Sequence, residues 1–139
     1  MTVEDSLSRA TVDRAAGYRT LDEYQDRATQ LAALPALERI APGFPDWIVT
    51  SLFGGTYQRP GLTPPERQLV TIATLATLGG VDPQLTGHIR SALRVGLTRQ
   101  QVVEVLVHQA PYIGAPKALA ALRVAAAAFE ALDAEGAAQ

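Results

Sequence analysis

Between Thr63 and Pro116 the chain marks the start and stop of one helix after another, and no other pattern in it constrains the fold as strongly. In "TPPERQLVTIATLATLGG", Thr63 and Glu66 are spaced as a capping box. Pro64 takes the first helical position, where a missing N–H costs nothing, and Gly79-Gly80 supplies the stop. "DPQLTGHIRSALRVG" repeats the grammar, with Asp82 as cap, Pro83 at the first position and Gly96 as terminator. "TRQQVVEVLVHQA" opens on a second capping box, Thr98 with Gln101, and Pro111 ends or kinks that helix. "IGAP" resets the chain, and a fourth, alanine-rich helix is predicted from near Pro116.

The first half carries fainter signals of the same kind. "VEDSLSRATVDRAAG", "TLDEYQDRATQLAAL" and "PDWIVTSLFGG", the last holding the sole tryptophan, Trp47, read as amphipathic helices. No segment alternates as a strand does. The predicted fold is all-α, a compact single domain over residues 1–139, with N-terminal helices within 4–40 and a frayed tail at "DAEGAAQ". Several helices are rich in Ala, Val and Leu on more than one side, which predicts a homo-oligomer.

Charge and composition narrow the function. A formal net charge of −2 with no basic run leaves no electrostatic footprint for nucleic acid. With no cysteine there is no disulfide, no thiolate metal site and no redox dithiol. The acidic amino terminus lacks a leader pattern, and no run of apolar residues is long enough to span a membrane, so a cytoplasmic protein without a membrane partner is expected.

The two histidines, His88 and His108, are the candidates for proton chemistry. On its helix the apolar stripe is Leu85, Ile89, Ala92 and Leu93, and His88 lies on the shoulder of that stripe, a position that suits a structural hydrogen bonder as well as a catalyst. The stripe Val102, Val103, Leu106, Val107 and Ala110 points away from His108, which could form an exposed pair with Glu104 one turn earlier. Two histidines twenty residues apart lack the spacing of a helical metal motif, so no metal is expected. There is no nucleophile-elbow motif, and "FGG" and "LGG" read as helix terminators, not as phosphate loops.

"RPGL" at Arg59 to Leu62, "LVTIA" at Leu69 to Ala73, "HIRSAL" at His88 to Leu93 and "VLVHQAPYIGAP" at Val105 to Pro116 together resemble the carboxymuconolactone decarboxylase family, over about Phe44 to Phe129. The resemblance implies an alkylhydroperoxidase D-like helical domain, assembled as a trimer or hexamer. The peroxidase branch of that superfamily relies on a Cys-x-x-Cys pair that this chain lacks. The decarboxylase branch implies a small-molecule substrate and no cofactor. Loss of CO2 from an unsaturated lactone drives electrons onto the ring carbonyl, so the reaction needs a donor near that oxygen and an acid to protonate carbon.

By resemblance His88 and His108 take catalytic positions, and Arg59 falls in a substrate-binding loop, where it could pair with a carboxylate or simply be solvated. Tyr57 and Tyr112 could present hydroxyls to the ligand, although Tyr112 could instead pack at the helix bend. Glu66 is explained by its capping box. Gln68 stands where many relatives have glutamate; it can orient and donate but cannot titrate. Phe53, Tyr57 and Leu119 replace the tryptophans and asparagine of the family decarboxylases, which implies a more apolar pocket. The expected activity is thus a cofactor-independent decarboxylase on an unsaturated lactone or enolisable acid. Its rivals are an isomerase, cyclase or dehydratase on a bulkier aromatic or polyketide-like intermediate, and a non-catalytic helical oligomer.

Overall fold

The computed structural model describes residues 12–137, and every regular element among them is helical. Seven α-helices follow in order: α1 (Arg14–Tyr24), α2 (Arg27–Ile40), α3 (Phe44–Ile48), α4 (Pro64–Leu78), α5 (Asp82–Arg94), α6 (Arg99–Ile113) and α7 (Ala115–Ala137). A π-helical turn, Val49–Phe53, and a 3-10 turn, Thr56–Gln58, lie between α3 and α4. By packing, the chain divides into two compact units, Met1–Thr63 and Pro64–Gln139.

In the first unit, α1 is capped by Asp13, whose carboxylate accepts from the Ala16 N–H at 2.9 Å. The helix expected over 3–17 therefore begins at Arg14 within the described residues; positions 3–11 lie outside them. It does not stop at Gly17, because that glycine is used for contact and not for termination. A Cβ there would stand 2.9 Å from the Gly54 nitrogen, and the Asp13 N–H donates to the Gly54 carbonyl at 2.8 Å, so two main-chain segments touch directly.

The single helix expected over 20–34 is in fact two. Asp26 breaks it by accepting from the Thr29 N–H at 2.8 Å and starting α2 afresh. The buried Gln30 amide braces the joint, donating to Asp22 at 2.9 Å and to the Gln25 carbonyl at 3.1 Å. α3 widens into the π-helical turn, closed by the Gly54 N–H on the Val49 carbonyl five residues back. Tyr24, Phe53 and Tyr57 cluster beside it, with ring centroids 4.9 to 5.7 Å apart. On the surface of this unit, Asp46 accepts from Arg14 and from the Tyr18 hydroxyl, at 2.7 and 2.6 Å.

In the second unit the capping signals hold at α6 and shift by one residue at α5. The Thr98 and Gln101 box is present in full. Gly96 (φ +108°) turns the chain out of α5, and the Leu97 N–H returns to the Ala92 carbonyl at 2.9 Å. The start of α5 differs by one residue: Asp82 is the first helical residue and Val81 the cap, because the Leu85 N–H reaches the Val81 carbonyl at 2.9 Å. Pro111 sits in the last turn of α6, which ends at Gly114 (φ +91°).

Ile72, Ile89, Val102 and Leu106 form the centre of the core, all without exposed surface. Ala118, Ala121, Ala125 and Ala128 line the buried face of α7, and their small side chains let it lie close to α5 and α6. Of the tail expected to fray, residues 133–137 are helical, and Ala138 and Gln139 lie outside the described residues. Two forked ion pairs hold it, Arg90 on Glu135 and Arg99 on Asp133.

Candidate active site

His88 and Gln68 meet in the second unit. α4 carries Gln68 on its buried face, one turn before Ile72, and α5 carries His88 one residue before the core residue Ile89. The Gln68 side chain has no exposed surface, and its Oε1 lies 3.0 Å from His88 Nδ1. The Gln68 oxygen can accept a hydrogen bond from Nδ1, an arrangement that would leave the Nε2 lone pair open. Burial pushes the His88 pKa below its ordinary value of 6.5, because an imidazolium there would lose hydration. A half-buried neutral imidazole with one nitrogen occupied can take up and release a proton at the other.

His108 is different. It is exposed on α6, and its ring lies 5.5 Å from that of Tyr112 one turn on. In place of the pair with Glu104 that the spacing allowed, His108 makes this tilted ring contact. Tyr112 is 76% exposed, so it does not pack at the helix bend as one reading of the sequence had it.

Arg59 and Tyr57 belong to the first unit. Arg59 follows the 3-10 turn in extended conformation and is half-buried. The Tyr57 ring belongs to the cluster with Tyr24 and Phe53, and Phe53 is only 5% exposed. The apolar character of Phe53 therefore answers to packing, and a pocket is not needed to explain it. Leu119, the third substituted position, is half exposed on α7.

Sequence reasoning passed over Lys117, the sole lysine, and Gln109. Together with Val70, Thr74 and Leu78 they line an open groove of about 650 Å³ on the second unit. The Lys117 ammonium donates to the Thr77 carbonyl at 2.6 Å, and the Gln109 amide to the Ala73 carbonyl at 3.1 Å. No periodic pattern announces either bond, since both join helices far apart in the chain. Among the described residues, no three His, Cys, Asp or Glu gather in a group that could hold a metal ion, and no helix is long and apolar enough to cross a membrane.

The model of the carboxymuconolactone decarboxylase family matches residues 42–127, well over half of the chain. The chain belongs to the carboxymuconolactone decarboxylase family. Its all-helical architecture is the alkylhydroperoxidase D-like one of that family. It is similar to a protein of Acinetobacter baylyi named 4-carboxymuconolactone decarboxylase, at 36% identity over 89 residues, which cover 64% of this chain and 66% of that protein. It is also similar to a protein of Paracoccus denitrificans, named "Uncharacterized 15.0 kDa protein in nqo9-nqo10 intergenic region", at 31% identity over 101 residues, or 72% of this chain and 75% of that one. His88, His108, Arg59, Tyr57, Gln68 and Tyr112 all fall within the segment matched by the carboxymuconolactone decarboxylase model.

Proposed function

We propose that the chain is a cofactor-independent decarboxylase acting on an unsaturated lactone or a related enolisable carboxylic acid, with His88 as the group that moves the proton. The observation that carries this reading is the half-buried imidazole of His88, its pKa lowered by burial and its Nδ1 3.0 Å from the Gln68 oxygen. Membership of the family and similarity to a protein named for this reaction support it.

In the step itself the carbon–carbon bond to the carboxylate breaks, and its electron pair passes through the conjugated system to the carbonyl oxygen. One proton then returns to carbon. Neutral His88 first takes up a proton from solvent at Nε2; burial lowers its pKa and makes the imidazolium a stronger acid, so it passes that proton to carbon and returns to the neutral state, one solvent proton being consumed for each CO2 released. Arg59 is assigned to a substrate carboxylate, which its planar fork matches. His108, Tyr57 and Tyr112 are assigned as donors to the substrate oxygens.

Assembly as a homo-oligomer, trimer or hexamer, belongs to the same reading. Val70 and Leu78 on α4 and Leu119 on α7 support it, since each leaves about half or more of its surface uncovered. Light scattering on the purified protein reads the subunit number.

The test of function is incubation with γ-carboxymuconolactone, following CO2 and product mass. Enzymatic release of CO2, reduced about 10²- to 10⁴-fold in His88→Ala, is expected. A product of unchanged mass would move the activity to isomerisation. No turnover by the folded protein would sink the decarboxylase reading.

A further inference from the structure

We infer that Gln68 is a positioning residue that locks His88 in one tautomer, with the proton on Nδ1, so that His88 exchanges protons through Nε2 alone. The statement about exchange with a ligand rests on the function proposed above; the statement about the tautomer stands on the geometry by itself.

The residue type at position 68 decides what can happen at Nδ1. A carboxylate 3.0 Å from that nitrogen would accept its proton or stabilise the imidazolium, and would extend a relay beyond the ring. A hydroxyl would turn to serve either tautomer. An amide oxygen does neither. It accepts the hydrogen bond and has no basicity in the range where proteins are folded, so the Nδ1 proton has nowhere to go.

Two features keep the amide in place. Gln68 has no exposed surface, so water cannot compete for its oxygen. Its helix is fixed against α5 by Ile72, Leu85 and Ile89, which belong to one core. The ring is therefore closed on one side and available on the other. Burial pushes the His88 pKa down, which accords with a neutral ring whose partner is an amide.

Nitrogen-15 NMR of the labelled full-length protein, without ligand, tests this directly. Long-range proton–nitrogen correlations distinguish protonated from unprotonated ring nitrogens. The chain has only two histidines, and His88→Asn assigns them. In the native protein at pH 7.5, the expected result is a protonated Nδ1 and an unprotonated Nε2 for His88. Gln68→Met, which keeps the volume, is expected to release the lock, giving the mixture dominated by Nε2–H that free imidazole shows. Gln68→Glu is expected to keep the proton on Nδ1 while raising the titration midpoint of His88 by about one unit or more.

A native spectrum with the proton on Nε2 would overturn the inference, as would a Gln68→Met spectrum that keeps it on Nδ1. If Gln68→Met fails to fold, the native spectrum and the Gln68→Glu titration still decide. Because no ligand is present, the tautomer result survives or fails independently of CO2 release.

Discussion

The two units solve the same packing problem by different means. In Pro64–Gln139 the helices meet through interlocking aliphatic side chains around Ile72, Ile89 and Leu106, and each helix carries its own start and stop. In the described part of Met1–Thr63, main chain meets main chain at Gly17 and Gly54, and three aromatic rings cluster beside the π-helical turn. Side-chain cores yield gradually when atoms are removed, whereas a backbone contact fails when one atom is added. The histidine held at Nδ1 belongs to the first kind of construction, where a fully buried partner can be presented in a fixed geometry.

That contrast can be broken or sharpened in four ways. The largest effect is expected from Ile72→Ala, which empties a fully buried site and costs about 4 kcal/mol, read by denaturant unfolding of the second unit's amides in hydrogen exchange. Next is Gly54→Ala. Its new methyl would lie 2.5 Å from the Asp13 carbonyl oxygen and 2.6 Å from that of Thr50, and a loss of about 3 kcal/mol is expected at the first unit's amides. If Gly54→Ala were neutral, the idea that backbone contact organises this unit would be lost.

Asp26→Ala and Thr98→Ala remove the same kind of cap, one in each unit, and each is expected to cost about 1 kcal/mol. Near-equal losses would show that the units differ in packing and not in helix chemistry. The last effect is a slope. Because the folded pKa of His88 is depressed, the unfolded chain binds more protons near that pH. Stability from this source is therefore complete above the ordinary value of 6.5 and is lost as the pH falls toward the folded value. Melting temperature measured from pH 8 to pH 5 should decline at the acid end in the native protein, and less steeply in His88→Gln.

How much was legible in the sequence follows the same division. The helices of the second unit were readable because their signals are local: a cap, a proline and a glycine within a few residues of each other. The break at Asp26 was not, because the periodic pattern runs through it, and only the burial of Gln30 against Asp22 and Gln25 makes the aspartate a cap and not a surface charge. The helical state of residues 133–137 was not legible for the same reason. Arg90 and Arg99, some 45 and 34 residues away, hold Glu135 and Asp133. At the site, both histidines stood out by rarity. Their difference in burial was legible too, because His88 lies on the shoulder of the apolar stripe of α5 whereas the stripe of α6 points away from His108. The partnership of Gln68 with His88, twenty residues apart, is a tertiary fact that no spacing announces.

The close approach at Gly54 also limits how this chain can drift. The atoms that would meet a new Cβ are carbonyl oxygens of Asp13 and Thr50, present whatever side chains those positions bear. No trimming of a neighbouring residue can make room, as it can for an enlarged side chain in the aliphatic core. A change at Gly54 therefore has no single-residue suppressor among its contacts, and selection for revertants should return glycine itself or a shift of the whole segment.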